Sequence, residues 1–405
     1  MKVLQINAVS GIRSTGRICV EIADYLNNNG SEGYIAHSAG LPYEKGYRIG
    51  TPIGIKLHGL YSRVFGMQAY FSKNGTKKLI KYIEVLKPDI VHLHNLHGNY
   101  INLKLLLEYL AEKDIPSVLT LHDCWFFTGK CTYYTVDGCY KWQVGCEDCP
   151  RLKKDNPSWF LDCTKKMYRD KKEWLGKIPR LAVVGVSDWI TNEARKSYLS
   201  SAKILTRIYN WNDIDIFKPV ITDMRFKLGL ESKFIILGVS SGWSSAKGLD
   251  NFINLANLIS YDMVIILVGD MSAKVNLPKN IIHIKETHNI NELVEYYSMA
   301  DVFMNFSLEE TFGKVTAEAL ACGTPAIAIN STANPELLGD GCGYVVEKDD
   351  IGGVVEYIRE IKRQGKDSYS KHCVAYARHN FCMDDIIQEY VALYKKLLLG
   401  KELHK

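Results

Sequence analysis

No run of apolar residues in this 405-residue chain approaches the roughly 18 that a membrane-crossing helix needs. The N-terminus offers one lysine and then a short apolar stretch, Val3 to Ile6, that ends at Asn7. That stretch reads as a buried first strand, and a secretory signal is not expected, so the expected location is the cytoplasm. Proline is scarce, 11 residues against 31 glycines, as suits many tight turns between short elements. There is no short-period repeat and no low-complexity segment. A strong excess of either sign of charge is also absent, with 50 Lys or Arg against 45 Asp or Glu. The net charge of +5 favours an anionic partner, such as a phosphate-bearing ligand or a membrane surface, and does not call for nucleic acid. The 11 cysteines are odd in number and sit in a long chain, which argues against a disulfide framework.

What the chain does have is length enough for two domains, with 47% hydrophobic and 23% charged residues. Strand-length apolar runs alternate with longer amphipathic segments. In the first half the strands are expected at 2–6, 33–37, 90–93, 117–121, 181–186 and 203–208. Helices are expected at 15–28, 77–86, 103–112 and 189–198, the first with Ile18, Ile22, Tyr25 and Leu26 on one face. The second half repeats the scheme. Its strands are expected at 234–239, 263–268, 281–284, 302–305 and 325–329, and its helices at 249–260, 291–299 and 313–321. A segment without helical periodicity, Asn210 to Pro219, reads as the linker between a domain of residues 1–209 and one of 220–382. The tail from Met383 to Lys405 is helical and is expected to pack back on the first domain. Alternation of this kind gives an α/β fold with parallel sheets covered on both faces. Such sheets bind ligands at the carboxyl ends of their strands, so a cleft between the two domains is expected there.

Five stretches carry chemistry. The most specific runs from Ser307 to Pro325, with Glu310 just before an expected helix and Glu318 within it. Eight residues at 1.5 Å rise separate the two carboxylates by at most roughly 12 Å. The amides of Thr311, Phe312 and Gly313 would sit at the helix N-terminus, where anions are stabilised. Ser240 to Gly248 is a second loop between strand and helix, and Lys247 in it can reach a diphosphate as a point charge. Ser10 to Arg17, with Gly11 and Gly16, follows the first strand and can bring amides close to phosphate, although glycine and serine there also suit a plain turn. His122 and Asp123 end a strand. His92, His94 and His97 invite a metal reading, which needs two of them on one strand face.

Taken together these residues resemble family 4 of the retaining glycosyltransferases, whose mark is two glutamates separated by seven residues, as Glu310 and Glu318 are. Phe312-Gly313 and Ala321-Cys322-Gly323-Thr324-Pro325 match the family pattern, and the resemblance extends over nearly the whole chain, closest to bacterial members that build polysaccharides. It implies two Rossmann-like domains facing across a cleft, the GT-B architecture, and transfer of a sugar from a nucleotide-sugar donor to a glycan or lipid-linked acceptor. Glu310, His122 and Lys247 become the catalytic candidates. Glu318 would bind the ribose hydroxyls, with Gly16, Thr311, Phe312, Gly313 and Lys314 completing the donor side. His94, Asn95 and His97 would lie on the acceptor side. No catalytic cofactor is implied. The family carries an arginine a few residues before the lysine, and this sequence has none between Gly238 and Ala246. Lys314 or Arg17 would have to stand in, or the leaving group is less well stabilised. Two rivals remain at this point: a nucleotide-sugar 2-epimerase of the same architecture, and a non-catalytic sugar- or nucleotide-binding module.

Two further segments stand outside that pattern. From Arg151 to Arg180 there are ten Lys or Arg, with Phe160, Cys163, Met167 and Trp174 at helical spacing. This is either a solvated helix packing its stripe on the core or a helix that meets a membrane peripherally, at its inner face. Residues 126–152 are rich in glycine, cysteine and tyrosine and lack a regular period. A loop of that length needs something to order it. Cys146 and Cys149 form a C-x-x-C pair, and with Cys131 and Cys139 they could complete a structural zinc site. Four reduced thiols packed as small hydrophobes are the alternative.

Overall fold

The computed structural model describes residues 1–271, 275–285, 287 and 289–399. The chain forms two compact units. One is Met1–Ile208 together with the last helix from Ile387 on, and the other is Tyr209–Ile386.

In the first unit the order is β1 (Lys2–Ser10), α1 (Arg13–Asn28), β2 (Glu32–Gly40), β3 (Gly46–Arg48), α2 (Pro52–Phe65), α3 (Lys73–Leu86), β4 (Ile90–Leu93), α4 (Leu103–Glu112), β5 (Ser117–Leu121), α5 (Thr164–Gly176), β6 (Leu181–Gly185), α6 (Asp188–Arg195) and β7 (Ile204–Arg207). The seven strands pair in parallel in the order β3-β2-β1-β4-β5-β6-β7. Ile90–Leu93, Ser117–Leu121 and Leu181–Gly185 are buried at every position, as strands covered on both faces must be. The order reverses between β1 and β4, whose carboxyl ends carry the Gly11–Gly16 loop and His94.

The second unit runs α7 (Met224–Lys227), β8 (Phe234–Gly242), α8 (Leu249–Ala256), β9 (Met263–Asp270), β10 (Ile281–Ile284), α9 (Ile290–Met299), β11 (Val302–Asn305), α10 (Lys314–Ala321), β12 (Ala326–Ile329), β13 (Gly343–Val346), α11 (Ile351–Gln364), α12 (Asp367–Phe381) and α13 (Met383–Leu399), the last of which passes back into the first unit. Six parallel strands lie in the order β10-β9-β8-β11-β12-β13. Here the reversal falls between β8 and β11, so the loops leaving those two strands are neighbours.

Most strands fall where the apolar runs place them, and four (90–93, 117–121, 281–284 and 302–305) match end to end. The helix expected over 189–198 ends at Arg195, and Tyr198–Ser201 continues as a 3₁₀ turn with the Ser197 hydroxyl capping it. α2, β3, β13, α11 and α12 lie outside the expected elements. Within α5, Met167 and Trp174 are buried, while Phe160 lies before the helix and is exposed. The stripe therefore packs inward, and α5 is not an outward-facing amphipathic helix. Among the described residues no helix is long and apolar enough to cross a membrane.

Candidate functional site

In the second unit the loops after β8 and β11 bring Lys247 and Glu310 together. The Lys247 ammonium meets the Glu310 carboxylate at 2.5 Å and also donates to the Ser307 hydroxyl at 3.2 Å. Both side chains keep some solvent access, 35% and 16%. The backbone fixes this meeting. Leu308 N–H donates to the Ala246 carbonyl at 3.0 Å, and Glu310 N–H donates to the Thr332 hydroxyl at 2.9 Å. Gly248, directly after the lysine, sits at φ +75°, and a Cβ there would lie 2.2 Å from the Phe306 Cβ. Only glycine lets the two loops approach this closely.

Glu318 is held differently. It lies on the buried face of α10, and its Oε2 accepts a hydrogen bond from the Tyr297 hydroxyl at 2.9 Å. Burial and the neighbouring Glu318 carboxylate push the Tyr297 phenol well above its ordinary range, so it remains a donor. The loop ahead of α10 is pinned from below. Asn305 Nδ2 donates to Thr316 and Asn334, Asn334 donates to the Ser307 carbonyl, and Asn305 Oδ1 accepts from the Ser307 amide. The Gly313 carbonyl accepts from Thr316 N–H, so the helix proper starts at Lys314. Thr311 and Phe312 are buried and Lys314 is half-buried.

The first unit holds a line of imidazoles at the ends of β4 and β5. Gln5 Nε2 donates to the Cys19 carbonyl, which leaves its Oε1 to accept from His94 Nε2 at 3.1 Å. His94 Nδ1 is then the acceptor for His122 Nε2 at 2.9 Å. The network therefore assigns His122 the Nε2–H tautomer, with Nδ1 unprotonated. Burial drives the His122 pKa down to about 4 against the opposing pull of Asp123, and it holds His94 well below the ordinary range. Both rings are neutral near pH 7. Burial alone would raise the Asp123 pKa. His97, at 2.8 Å, and the Trp125 amide outweigh it and keep the carboxylate ionised.

His94 is fully buried with both ring nitrogens engaged, so it positions His122 and does not face an acceptor as expected. Asn95 and His97 are partly exposed. His92 bonds the Tyr394 and Thr120 hydroxyls through its two nitrogens, which uses up the ring atoms a metal would need. Gly16 is buried in the first turn of α1, where its carbonyl receives the Gly11 amide, and Arg17 is exposed. Gln5, Tyr297 and Thr332 were not singled out by the sequence. Gln5 alone left a signal there, a polar residue inside an apolar strand. Asp213-Ile214-Asp215 has a spacing that can suit a divalent cation. Here Asp213 accepts the amides of Asp215 and Ile216 and closes a turn.

Cys131, Cys139, Cys146 and Cys149 all line one small cavity in the first unit, and each is a free thiol.

Residues 220–380, most of the second unit, match the family model described as glycosyl transferases group 1. The chain is 23% identical to a glycosyl transferase named for colanic acid biosynthesis in Escherichia coli (strain K12), over 76% of this chain and 77% of that protein. It is 25% identical to the N-acetyl-alpha-D-glucosaminyl L-malate synthase of Bacillus anthracis, over 53% of this chain and 60% of the synthase. Among solved structures, HepE from Anabaena in complex with UDP-glucose superposes with a TM-score of 0.66 at 17% identity, covering 98% of this chain and 100% of that one. Sucrose-phosphate synthase from Thermosynechococcus elongatus gives 0.70 at 15% identity, covering 98% and 99%. At such identities the structural likeness speaks for the fold, which is that of the GT-B glycosyltransferases. Fold and family model agree: the segment 220–380 matches the group 1 glycosyltransferases, within a chain of GT-B fold.

Proposed function

We propose that the protein is a retaining glycosyltransferase that moves a sugar from a nucleoside-diphosphate donor to a glycan or lipid-linked acceptor in polysaccharide biosynthesis. The observation that carries this reading is the Lys247–Glu310 pair, set beside the start of the helix that bears Glu318. A diphosphate arriving there offers Lys247 a stronger anion than one carboxylate, and the ammonium has three donors to share. Glu310, released in part, then faces the sugar. Glu318 can accept two vicinal ribose hydroxyls, with Tyr297 fixing its orientation. The leaving phosphate develops negative charge as the glycosidic bond breaks, and its oxygen takes the acceptor's proton on the same face, which retains the anomeric configuration. Stabilising that charge is the protein's main task, shared by Lys247 and the amides ahead of α10. No divalent cation takes part.

The colanic acid relative and the UDP-glucose complex of HepE are in keeping with a polysaccharide pathway and a nucleotide sugar. A lipid-linked acceptor would place the enzyme in the cytoplasm at the inner membrane face. A surface on the first unit supports such docking. α2 exposes Ile53, Leu57, Leu60, Tyr61 and Phe65 along one side, and the segment Trp159–Phe160–Leu161 adjoins it, with Trp159 N–H donating to the Arg63 carbonyl at 2.7 Å. Exposed Lys56 and Arg63 supply positive charge for anionic headgroups.

The test is a panel of UDP-, GDP-, ADP- and TDP-sugars in a thermal-shift assay. A ligand held at 100 times its Kd stabilises by about 2.7 kcal/mol. One nucleotide family should raise the melting temperature of the wild type, and the shift should be lost in Glu318→Ala. No shift with any donor, or an equal shift in both proteins, contradicts the assignment.

A further inference from the structure

The segment after β5 is the least regular part of the described chain and yet it is densely packed. Between Asp123 and Cys163 it forms turns and a single three-residue 3₁₀ helix, and it buries Trp125, Phe126, Phe127, Tyr134 and Trp142. A fold of that kind needs an ordering element that the backbone does not supply. The glycosyltransfer chemistry leaves its cysteines without a role.

Cys131, Cys139, Cys146 and Cys149 come from three separate turns and line one cavity. Its free space is enough for a single ion. Two backbone amides already donate to sulfur there: Gly129 N–H to Cys146 Sγ at 3.1 Å, and Arg151 N–H to Cys149. Amides aimed at sulfur favour the thiolate. Gly129 has to be glycine for this approach, since a Cβ would stand 2.9 Å from both the Cys146 and Thr164 Cβ atoms. The Cys131 and Cys149 thiols are in hydrogen-bonding contact with each other.

Two independent features suit an anionic thiolate centre. Trp142 lines the cavity, and its buried indole N–H has no acceptor. Two ammonium groups are also buried beside the sulfurs, Lys130 near Cys131 and Cys149, and Lys171 near Cys146 and Cys131. Lys130 donates to the carbonyls of Arg151, Leu152 and Lys154, and Lys171 to that of Trp125. Neither forms a close ion pair among the described residues, and the Asp155 and Asp123 carboxylates act on Lys130 and Lys171 respectively at longer range. Buried cations are retained where an opposite charge is near.

We propose that Cys131, Cys139, Cys146 and Cys149 are the four ligands of one structural zinc ion. Binding releases four thiol protons and leaves a tetrathiolate centre of net charge −2, which the ammonium groups of Lys130 and Lys171 offset and to which the Trp142 indole can donate. Zinc holds sulfur at about 2.3 Å, which sets sulfurs about 3.8 Å apart. Among the described residues no three His, Cys, Asp or Glu side chains are yet gathered tightly enough to hold an ion, so binding draws the turns inward. The site braces the segment that follows His122 and Asp123 and does no chemistry on substrate.

The full chain, purified without a metal-affinity tag or chelator, is analysed for metal by mass spectrometry and titrated with an organomercurial while zinc release is followed. The proposal expects about one zinc per chain, released as four thiols react. It expects an intense visible spectrum of tetrahedral thiolate-bound cobalt after exchange. Cys139→Ser and Cys149→Ser should lose the metal, and Cys124→Ser, which does not line the cavity, should keep it. If the ligand variants fail to fold, the wild-type stoichiometry and cobalt spectrum decide alone. Substoichiometric zinc with all four thiols freely alkylated, or a Cys131–Cys149 disulfide in their place, overturns the proposal.

Discussion

At the scale of single residues, the pairing of Lys247 with Glu310 carries the most consequence. In the proposed mechanism, with no arginine between Gly238 and Ala246, Lys247 would take a larger share of the leaving-group charge. Loss of a charge-assisted contact made chiefly in the transition state costs on the order of 2–4 kcal/mol. Lys247→Ala should therefore depress kcat by about two orders of magnitude, while nucleotide affinity, read by calorimetry, falls much less. Turnover within threefold of the wild type would remove the role. The glutamates were legible in sequence because their spacing and setting are specific. Their partners were not. Tyr297 reaches Glu318 and Gln5 reaches His94 through contacts made only once distant strands and helices pack, and no local pattern encodes them. The same holds for His94, for which the family resemblance implied a place on the acceptor side. Its burial follows from the packing of Gln5 and His122 on either side.

At the scale of elements, strands were read well because a parallel strand buried on both faces is a short apolar run whatever surrounds it. α2 shows the opposite case. Its signals were present: Thr51 caps Gly54 N–H, Pro52 stands at the first position, and Gly66 closes the helix at φ +66°. Its exposed apolar side, however, does not give the pattern of a helix packed on a core. That side defines the second prediction. Sedimentation with vesicles should show binding that increases with anionic lipid content and falls with salt. Leu57→Ser combined with Phe160→Ser should abolish most of it without changing donor affinity. Equal binding by the double variant, or none by the wild type at any composition, contradicts peripheral docking. α5 failed as the membrane helix for a simple reason. Its apolar stripe, Met167 and Trp174, is buried against the first unit and leaves no apolar face outward.

At the scale of the whole molecule, the first unit concentrates histidines that burial keeps neutral. His58 and His122 are lowered from 6.5 to about 4, and His92 and His94 are lowered as well. The unfolded chain takes up these protons as pH falls through 6.5, whereas the folded chain resists until about 4. The stabilisation is complete above 6.5 and is lost progressively below it. The urea midpoint should thus decline between pH 6.5 and 5, above the range where ordinary carboxylates titrate. A flat profile over that interval would contradict the neutral histidine line. The fold itself was legible as two parallel α/β units, while the cysteine-rich segment, held by long-range side-chain contacts, was legible only as an irregular loop needing support. The central claim is retaining transfer from a nucleotide sugar. It is tested most directly by proton NMR of the enzyme with its best-stabilising α-linked donor and water as the acceptor. The account predicts slow release of the α-anomer ahead of mutarotation, and release of the β-anomer first, or no turnover of any donor, would contradict it.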